Sequence, residues 1–194
     1  GFLKAAAHGR GTMPQLEATQ PTGLKILVCG PSASGKTTIC RFLSTEVETL
    51  VQPSAYIETK GVRILECERN LPGRGNQQCE IWDVSGNSQF ESCWPAIMQD
   101  VDGVVLVYNP DKDGHDIEIG DWYDYFVKNN DLEPSQCIIL AHHPAQSHRG
   151  MTRPPPKLKA VKVVDTSYDT AITTVLQQNF DDFLVECHDK KNGR

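Results

Sequence analysis

The chain contains no apolar run long enough to span a bilayer and no secretory leader. A helical membrane protein is therefore excluded. Its seven cysteines (Cys29, Cys40, Cys67, Cys79, Cys93, Cys137 and Cys187) include no Cys-x-x-Cys pair, so a metal-binding cysteine motif is missing too. Several lie in apolar runs, where cysteine behaves as a small hydrophobe, and a reducing, cytosol-like compartment is expected. Excess positive charge is also absent. Nineteen Lys and Arg against 25 Asp and Glu leave a net charge of −6, which argues against nucleic-acid partners and attraction to anionic membranes. The last six residues, 189–194, carry no prenylatable cysteine, so no direct membrane anchor is expected. What is present is 194 residues, 39% hydrophobic and 23% charged, enough for one globular domain with a substantial core. No internal repeat divides it.

The strongest positive signal is Gly30-Pro31-Ser32-Ala33-Ser34-Gly35-Lys36-Thr37. It follows the apolar run of residues 24–29, which reads as a buried strand, and precedes Thr38-Ile39-Cys40-Arg41-Phe42-Leu43, which reads as a helix. Strand, glycine-bounded loop, Lys, hydroxyl residue and helix together make a phosphate-binding P-loop in its required setting. Gly30 and Gly35 allow the loop, with Ser32, Ala33 and Ser34, to turn its N–H groups onto a polyphosphate, and the helix start adds its positive end. Lys36 would reach the β and γ phosphates, and Thr37 would ligate Mg²⁺.

The rest of the pattern predicts an α/β fold. Residues 35–46 form the first helix and residues 50–60 a loop. Residues 61–68 and 77–83, separated by the turn formers of 70–76, read as an antiparallel hairpin. Residues 101–109, 136–141 and 161–164 read as further strands. Residues 117–129 and 171–187 read as helices, the second burying Ile172, Val175, Leu176, Phe180 and Phe183. Such alternation gives a mostly parallel sheet with one antiparallel strand, and ligands bind beyond the carboxyl ends of its strands. Pro144, Pro154, Pro155 and Pro156 break up residues 144–159, so an irregular loop is expected in place of the penultimate helix. Residues 1–12 read as an appended, non-native segment ahead of Met13, residues 15–23 as loose chain, and residues 23–188 as a single domain.

Asp83, at the end of a strand about fifty residues past the P-loop, would hold Mg²⁺ through water, and Gly86 would offer its N–H to a γ-phosphate. Trp82-Asp83-Val84-Ser85-Gly86-Asn87-Ser88-Gln89-Phe90 resembles the second switch of Ras-superfamily GTPases, closest to the Rab branch. Thr59-Lys60-Gly61-Val62 resembles the end of the Rab first switch, and Asp165-Thr166-Ser167 resembles the final guanine-contacting loop. Three segments narrow the resemblance: Thr59 to Glu66, Phe90 to Met98, and Ala141-His142-His143 are similar to the Rab-like GTPases of intraflagellar transport complex B. The resemblance implies a P-loop GTPase (Ras-like) fold that binds GTP or GDP with Mg²⁺. It implies that Thr59 joins Thr37 and Asp83 at the metal, and that Thr38, His142, His143 and Ser167 complete the nucleotide site. It also implies coiled-coil subunits of that complex as partners, and a location in the cilium or flagellum, the basal body region and the cytoplasm.

Two departures set the expected activity. Asn87 stands where the family has the Gln that orients the attacking water, and the amide falls short by about 1.5 Å. Asn87 and Lys36 are still the catalytic candidates. The guanine-reading Asn-Lys-x-Asp is absent: His142, His143, Pro144 and Ala145 occupy its place, and Ala145 offers no carboxylate to the base. His142 and His143 either pack on the base or sugar or form a solvated strand end; a zinc site with His148 lacks a fourth ligand. Weak binding and slow hydrolysis follow, with a nucleotide-independent adaptor as the alternative. A nucleotide kinase would need a lid rich in Arg, for which only Arg149 and Arg153 are available. Phe90, Trp94 and Ile97 share one face of a short helix, which either packs on the sheet or leaves Trp94 as a binding anchor.

Overall fold

The computed structural model describes residues 23–144 and 152–193. The expectations for residues 1–12 and 15–22, for Ala145 and for His148 and Arg149 lie outside them. Six strands, β1 (Leu24–Cys29), β2 (Val62–Leu71), β3 (Gly75–Val84), β4 (Gly103–Tyr108), β5 (Cys137–His143) and β6 (Lys162–Ser167), form one sheet in the order β2-β3-β1-β4-β5-β6. β2 and β3 are the antiparallel hairpin, in register from Val62 opposite Val84 to Leu71 opposite Gly75, and the remaining neighbours run parallel. The helices are α1 (Lys36–Leu43), α2 (Trp94–Ile97), α3 (His115–Phe126) and α4 (Thr170–Lys191). No helix among the described residues is long and apolar enough to cross a membrane.

The sheet is covered on both faces. β1, apart from Lys25, and β4 are apolar, and alternate side chains go to opposite sides. Ile26, Val28, Val105 and Val107 meet Ile39, Leu43, Phe180 and Leu184 from α1 and α4. Leu27, Cys29, Val104 and Leu106 meet Ile97, Ile119, Trp122 and Phe126 from α2 and α3.

Several boundaries differ from the sequence reading for identifiable reasons. α1 ends at Leu43, three residues early, because Thr45 takes φ +63° and its N–H bonds back to Phe42. The buried stripe of α4 runs Leu176, Phe180, Phe183, Leu184 and Cys187, positions that return to one face every three or four residues. Val175, one residue from that stripe, is 51% exposed and does not belong to it. Asp165, Thr166 and Ser167 are the end of β6, not a loop after it. Between β5 and β6 the described residues 152–161 hold one 3-10 turn, Pro156–Leu158, and no α-helix, as the prolines require. Phe90 and Trp94 do not share one helix either. A 3-10 segment, Ser88–Cys93, precedes α2, and Trp94 packs its ring 5.0, 4.7 and 5.0 Å from Trp122, Tyr125 and Phe126.

Candidate functional site

The loop between β1 and α1 is closed by its own backbone. Gly30 has φ +141°, and a Cβ there would stand 2.1 Å from the Val107 carbonyl oxygen, so only glycine fits. Ala33 holds φ +59°, an uncommon conformation for a residue with a side chain, and is exposed to solvent. Lys36 is buried, and its ammonium donates to the Gly30 and Pro31 carbonyls at 2.8 and 2.7 Å. Burial lowers its pKa, opposed first by the nearby Asp83 carboxylate.

Thr37 lies in the first turn of α1, Thr59 in the loop before β2, and Asp83 near the end of β3. The sheet brings the three together. Thr37 donates to Asp83 Oδ2 at 2.7 Å, Thr59 donates to the same oxygen at 3.1 Å, and the two hydroxyls are 2.9 Å apart. Asp83 is fully buried, and its Oδ1 has no hydrogen-bond partner among the described residues. Burial pushes its pKa up, against the Thr37 bond and the Lys36 charge, which pull it down. Three hard oxygen donors and one orphaned carboxylate oxygen suit a small divalent cation, since a buried carboxylate is costly without a counter-charge. Among the described residues, no group of three or more His, Cys, Asp or Glu could hold a metal.

Gly86 packs against the P-loop so closely that a Cβ would lie 2.5 Å from the Ser32 nitrogen. A cavity of about 630 Å³ opens here, lined by residues 33–38, by residues 52–60, by Gly86, and by Pro144 and Tyr168. Its volume falls in the range of small-molecule sites.

Asn87 borders this region with its amide engaged at both ends. Nδ2 donates to Glu58 Oε1 at 2.8 Å, and Oδ1 accepts from the Gln89 N–H at 3.0 Å, capping the 3-10 segment. His142 and His143 do not line the cavity, nor are they a solvated strand end. β5 continues through both, so each is buried in the sheet. His142 bonds Thr166 Oγ1 at 3.0 Å through Nδ1, and its ring lies against Gly35 beneath the loop. Burial, with His143 beside it, depresses its pKa to about 4, so it is neutral. His143 contacts Asp111 at 3.0 Å, Thr152 at 3.1 Å and Asp165 at 3.2 Å. Ser167 is buried, and its hydroxyl accepts from the Asp169 N–H at 3.2 Å. Glu58, Arg41 and Tyr168, which the sequence did not mark as site residues, do line the cavity. For Tyr168 the available signal was its place directly after Ser167.

Residues 25–144 match the family described as Ras of Complex, Roc, domain of DAPkinase. The chain is 38% identical over 167 residues to the intraflagellar transport protein 22 homolog of Danio rerio, covering 83% of this chain and 88% of that protein. It belongs to the intraflagellar transport protein 22 family. The Mus musculus member of that family is 43% identical over 152 residues, 75% of this chain and 80% of its own. Among solved structures, the fold resembles intraflagellar transport protein 22 in the GTP-bound T. brucei IFT22/74/81 crystal structure. The TM-score is 0.71 at 30% identity, over 88% of this chain and 97% of that one. The GDP-bound T. brucei IFT22 crystal structure gives 0.62 at 26% identity, over 88% and 98%. For this member of the family, the arrangement can do two things chemically: bind a polyphosphate on the loop and place a hard cation beside it.

Proposed function

We propose that the chain is a Rab-like subunit of the intraflagellar transport B complex that binds GTP and GDP and acts in the assembly of cilia and flagella. Residues 23–188 are its single G domain. The observation that carries this reading is the meeting of Thr37, Thr59 and Asp83 within 3.1 Å of one another, beside Lys36 and under the open P-loop. Those three residues would hold Mg²⁺, which neutralises charge on the β and γ phosphates when bound. Lys36 would exchange its loop carbonyls for phosphate oxygens, and the N–H groups of residues 32–37 would supply the remaining contacts. The long coiled-coil subunits corresponding to 74 and 81 in the T. brucei complex are the partners. The chain works at the cilium or flagellum, in its basal body region and in the cytoplasm, held there by those subunits.

A binding module fits the site better than an efficient enzyme. Asn87 has a short amide that is already committed to Glu58 and Gln89. Hydrolysis is therefore slow, and the bound nucleotide serves mainly to set the conformation of residues 50–60 and 85–93. The test is the identity of the nucleotide released when the purified protein is denatured. Guanine nucleotide is expected. Adenine nucleotide would overturn the base assignment, and a protein that neither retains nor binds nucleotide would leave the adaptor reading in its place.

A further inference from the structure

We propose that Cys67 and Cys79 form a dithiol that a hydroperoxide converts to a cross-strand disulfide, a reversible modification site on the hairpin. Neither residue lines the nucleotide cavity. Cys67 on β2 and Cys79 on β3 stand directly opposite one another in the antiparallel register. Residues so placed point to the same face of the sheet, and both side chains lie in the cluster that α1 and α4 cover. Directly opposed residues have Cα atoms about 4.5–5.5 Å apart, and a disulfide spans about 4.4–6.8 Å. The bond therefore closes without changing the register of either strand.

The surroundings set this pair apart from the other buried cysteines. Arg69 follows Cys67 by two positions, so it shares that face of β2. Its guanidinium is held in place: it donates to the Leu43 carbonyl at 2.7 Å, pairs with Asp181 at 3.4 Å and lies 5.4 Å from the centre of the Phe180 ring. Hydrogen bonding from Cys79 is the first cause that lowers the Cys67 pKa, and the Arg69 charge adds to it, while burial and Asp181 oppose them. Cys79 is raised by the same partnership and by burial, with Cys187 of α4 adding a little. Cys29, Cys40, Cys137 and Cys187 are all raised by burial. The thiolate is the nucleophile, so the attack falls to Cys67. β2 is an edge strand of the sheet, and Cys67 keeps 8% of its surface exposed against 2% for Cys79.

The chemistry balances with the peroxide as sole oxidant. The Cys67 sulfur attacks one oxygen of the hydroperoxide and the O–O bond breaks. The proton shed by Cys67 goes to the leaving oxygen, which departs as an alcohol, or as water from hydrogen peroxide. Cys67 is then a sulfenic acid. The Cys79 sulfur attacks the Cys67 sulfur, the S–S bond forms, and the hydroxyl leaves as water with the Cys79 proton. The two thiols give up two electrons and the peroxide takes both. Exchange with a small dithiol reverses the bond, as a reducing compartment requires of a transient disulfide.

The experiment treats the folded full chain with a small molar excess of hydrogen peroxide, alkylates the remaining thiols and maps tryptic peptides by mass spectrometry. Trypsin cuts after Arg63, Arg69 and Arg74, so the two cysteines fall on separate peptides unless they are bonded. A monomer carrying a linked Cys67–Cys79 peptide is expected, with both thiols restored by dithiothreitol. Cys79→Ser and Cys79→Ala should lose the link and leave Cys67 as a sulfenic acid that dimedone traps. The wild-type map stands whether or not these variants fold. Cys93 is exposed and serves as the internal reference. Oxidation of Cys93 while Cys67 and Cys79 stay reduced would overturn the site, because exposure alone would then govern the reaction. So would Cys79 bonded to Cys187, a link between two chains, or a Cys67–Cys79 link that forms only in urea.

Discussion

Asn87 and Glu58 are joined across the two loops that flank the cation site, the Asn87 amide donating to the Glu58 carboxylate at 2.8 Å. The other end of the amide caps the Gln89 N–H at 3.0 Å. An asparagine amide drawn into these two bonds also reaches about one C–C bond less far than a glutamine amide, and a misplacement of about 1 Å costs on the order of a hundredfold in rate. Single-turnover GTP hydrolysis should therefore be slow. Asn87→Gln should raise it by restoring reach. Glu58→Ala should raise it further in that background by about fivefold, the worth of one exposed hydrogen bond. A wild-type rate matching that of stimulated GTPases, with no added factor, would show the reasoning to be wrong.

The phosphate and cation groups give a second expectation. Lys36→Ala removes the one buried ammonium beside the loop among the described residues, and Thr37→Ala removes one of the three oxygens that meet at Asp83. Each should weaken GDP binding by roughly ten- to a hundredfold, the range for losing a charge-assisted contact. Chelating Mg²⁺ should speed GDP release from wild type and have a smaller effect on Thr37→Ala. Titration with a fluorescent GDP analogue checks all three. Equal affinity in both variants and wild type would remove the P-loop from the site.

The parts of this molecule that local chemistry determines could be read in advance. β1, its glycine loop and the hairpin follow from apolar runs and turn residues a few positions apart, and the prolines of 154–156 forbade a helix before β6. Other features depend on partners far away in the chain. Nothing near His142 announces that β5 runs two residues further and buries it against Thr166, 24 positions later. Glu58 and Asn87 are 29 positions apart, and an exposed Glu before a Thr carries no local signal. Tyr168 was not marked at all, because the ring it packs against, His142, comes from β5. Val175 was misplaced for a simpler reason: of two adjacent apolar residues, Val175 and Leu176, only Leu176 turns into the core.

His142 predicts a pH dependence of stability. Its folded pKa of about 4 lies below the unfolded value of about 6.5, so the unfolded chain binds the proton more tightly between these limits. The contribution of the neutral buried ring is fully present above about pH 6.5. It is lost as pH falls toward 4, by about 2–3 kcal/mol at pH 4.5. Asparagine at this position does not titrate. The difference in unfolding free energy between wild type and His142→Asn should therefore shrink by that amount between pH 7.5 and pH 4.5 in urea titrations. A constant difference would mean that His142 is reached by solvent, contrary to its burial.

The last prediction separates the partner surface from the core. Trp94 packs against Trp122, Tyr125 and Phe126, so it belongs to the fold. Trp94 is partly buried, so Trp94→Ala should cost about 2–3 kcal/mol, less than truncation of a core Trp, and lower the thermal midpoint by several degrees. The exposed apolar side chains lie elsewhere. Tyr56 and Ile57 are 61% and 82% exposed in the loop before Thr59, with Ile64 on β2 at 48%. Tyrosine and large aliphatics left in water beside a nucleotide cavity are suited to anchoring a partner and to responding when the cavity fills. Tyr56→Ala with Ile57→Ser should therefore leave the midpoint within a few degrees, since neither residue is buried. The same pair should abolish capture of the coiled-coil subunits proposed above. Melting curves and pull-downs on the two sets of variants decide the matter. If the stable Tyr56/Ile57 variant still captures its partners while a folded Trp94 variant does not, the binding surface lies over α2 and α3 and not over the loop before β2.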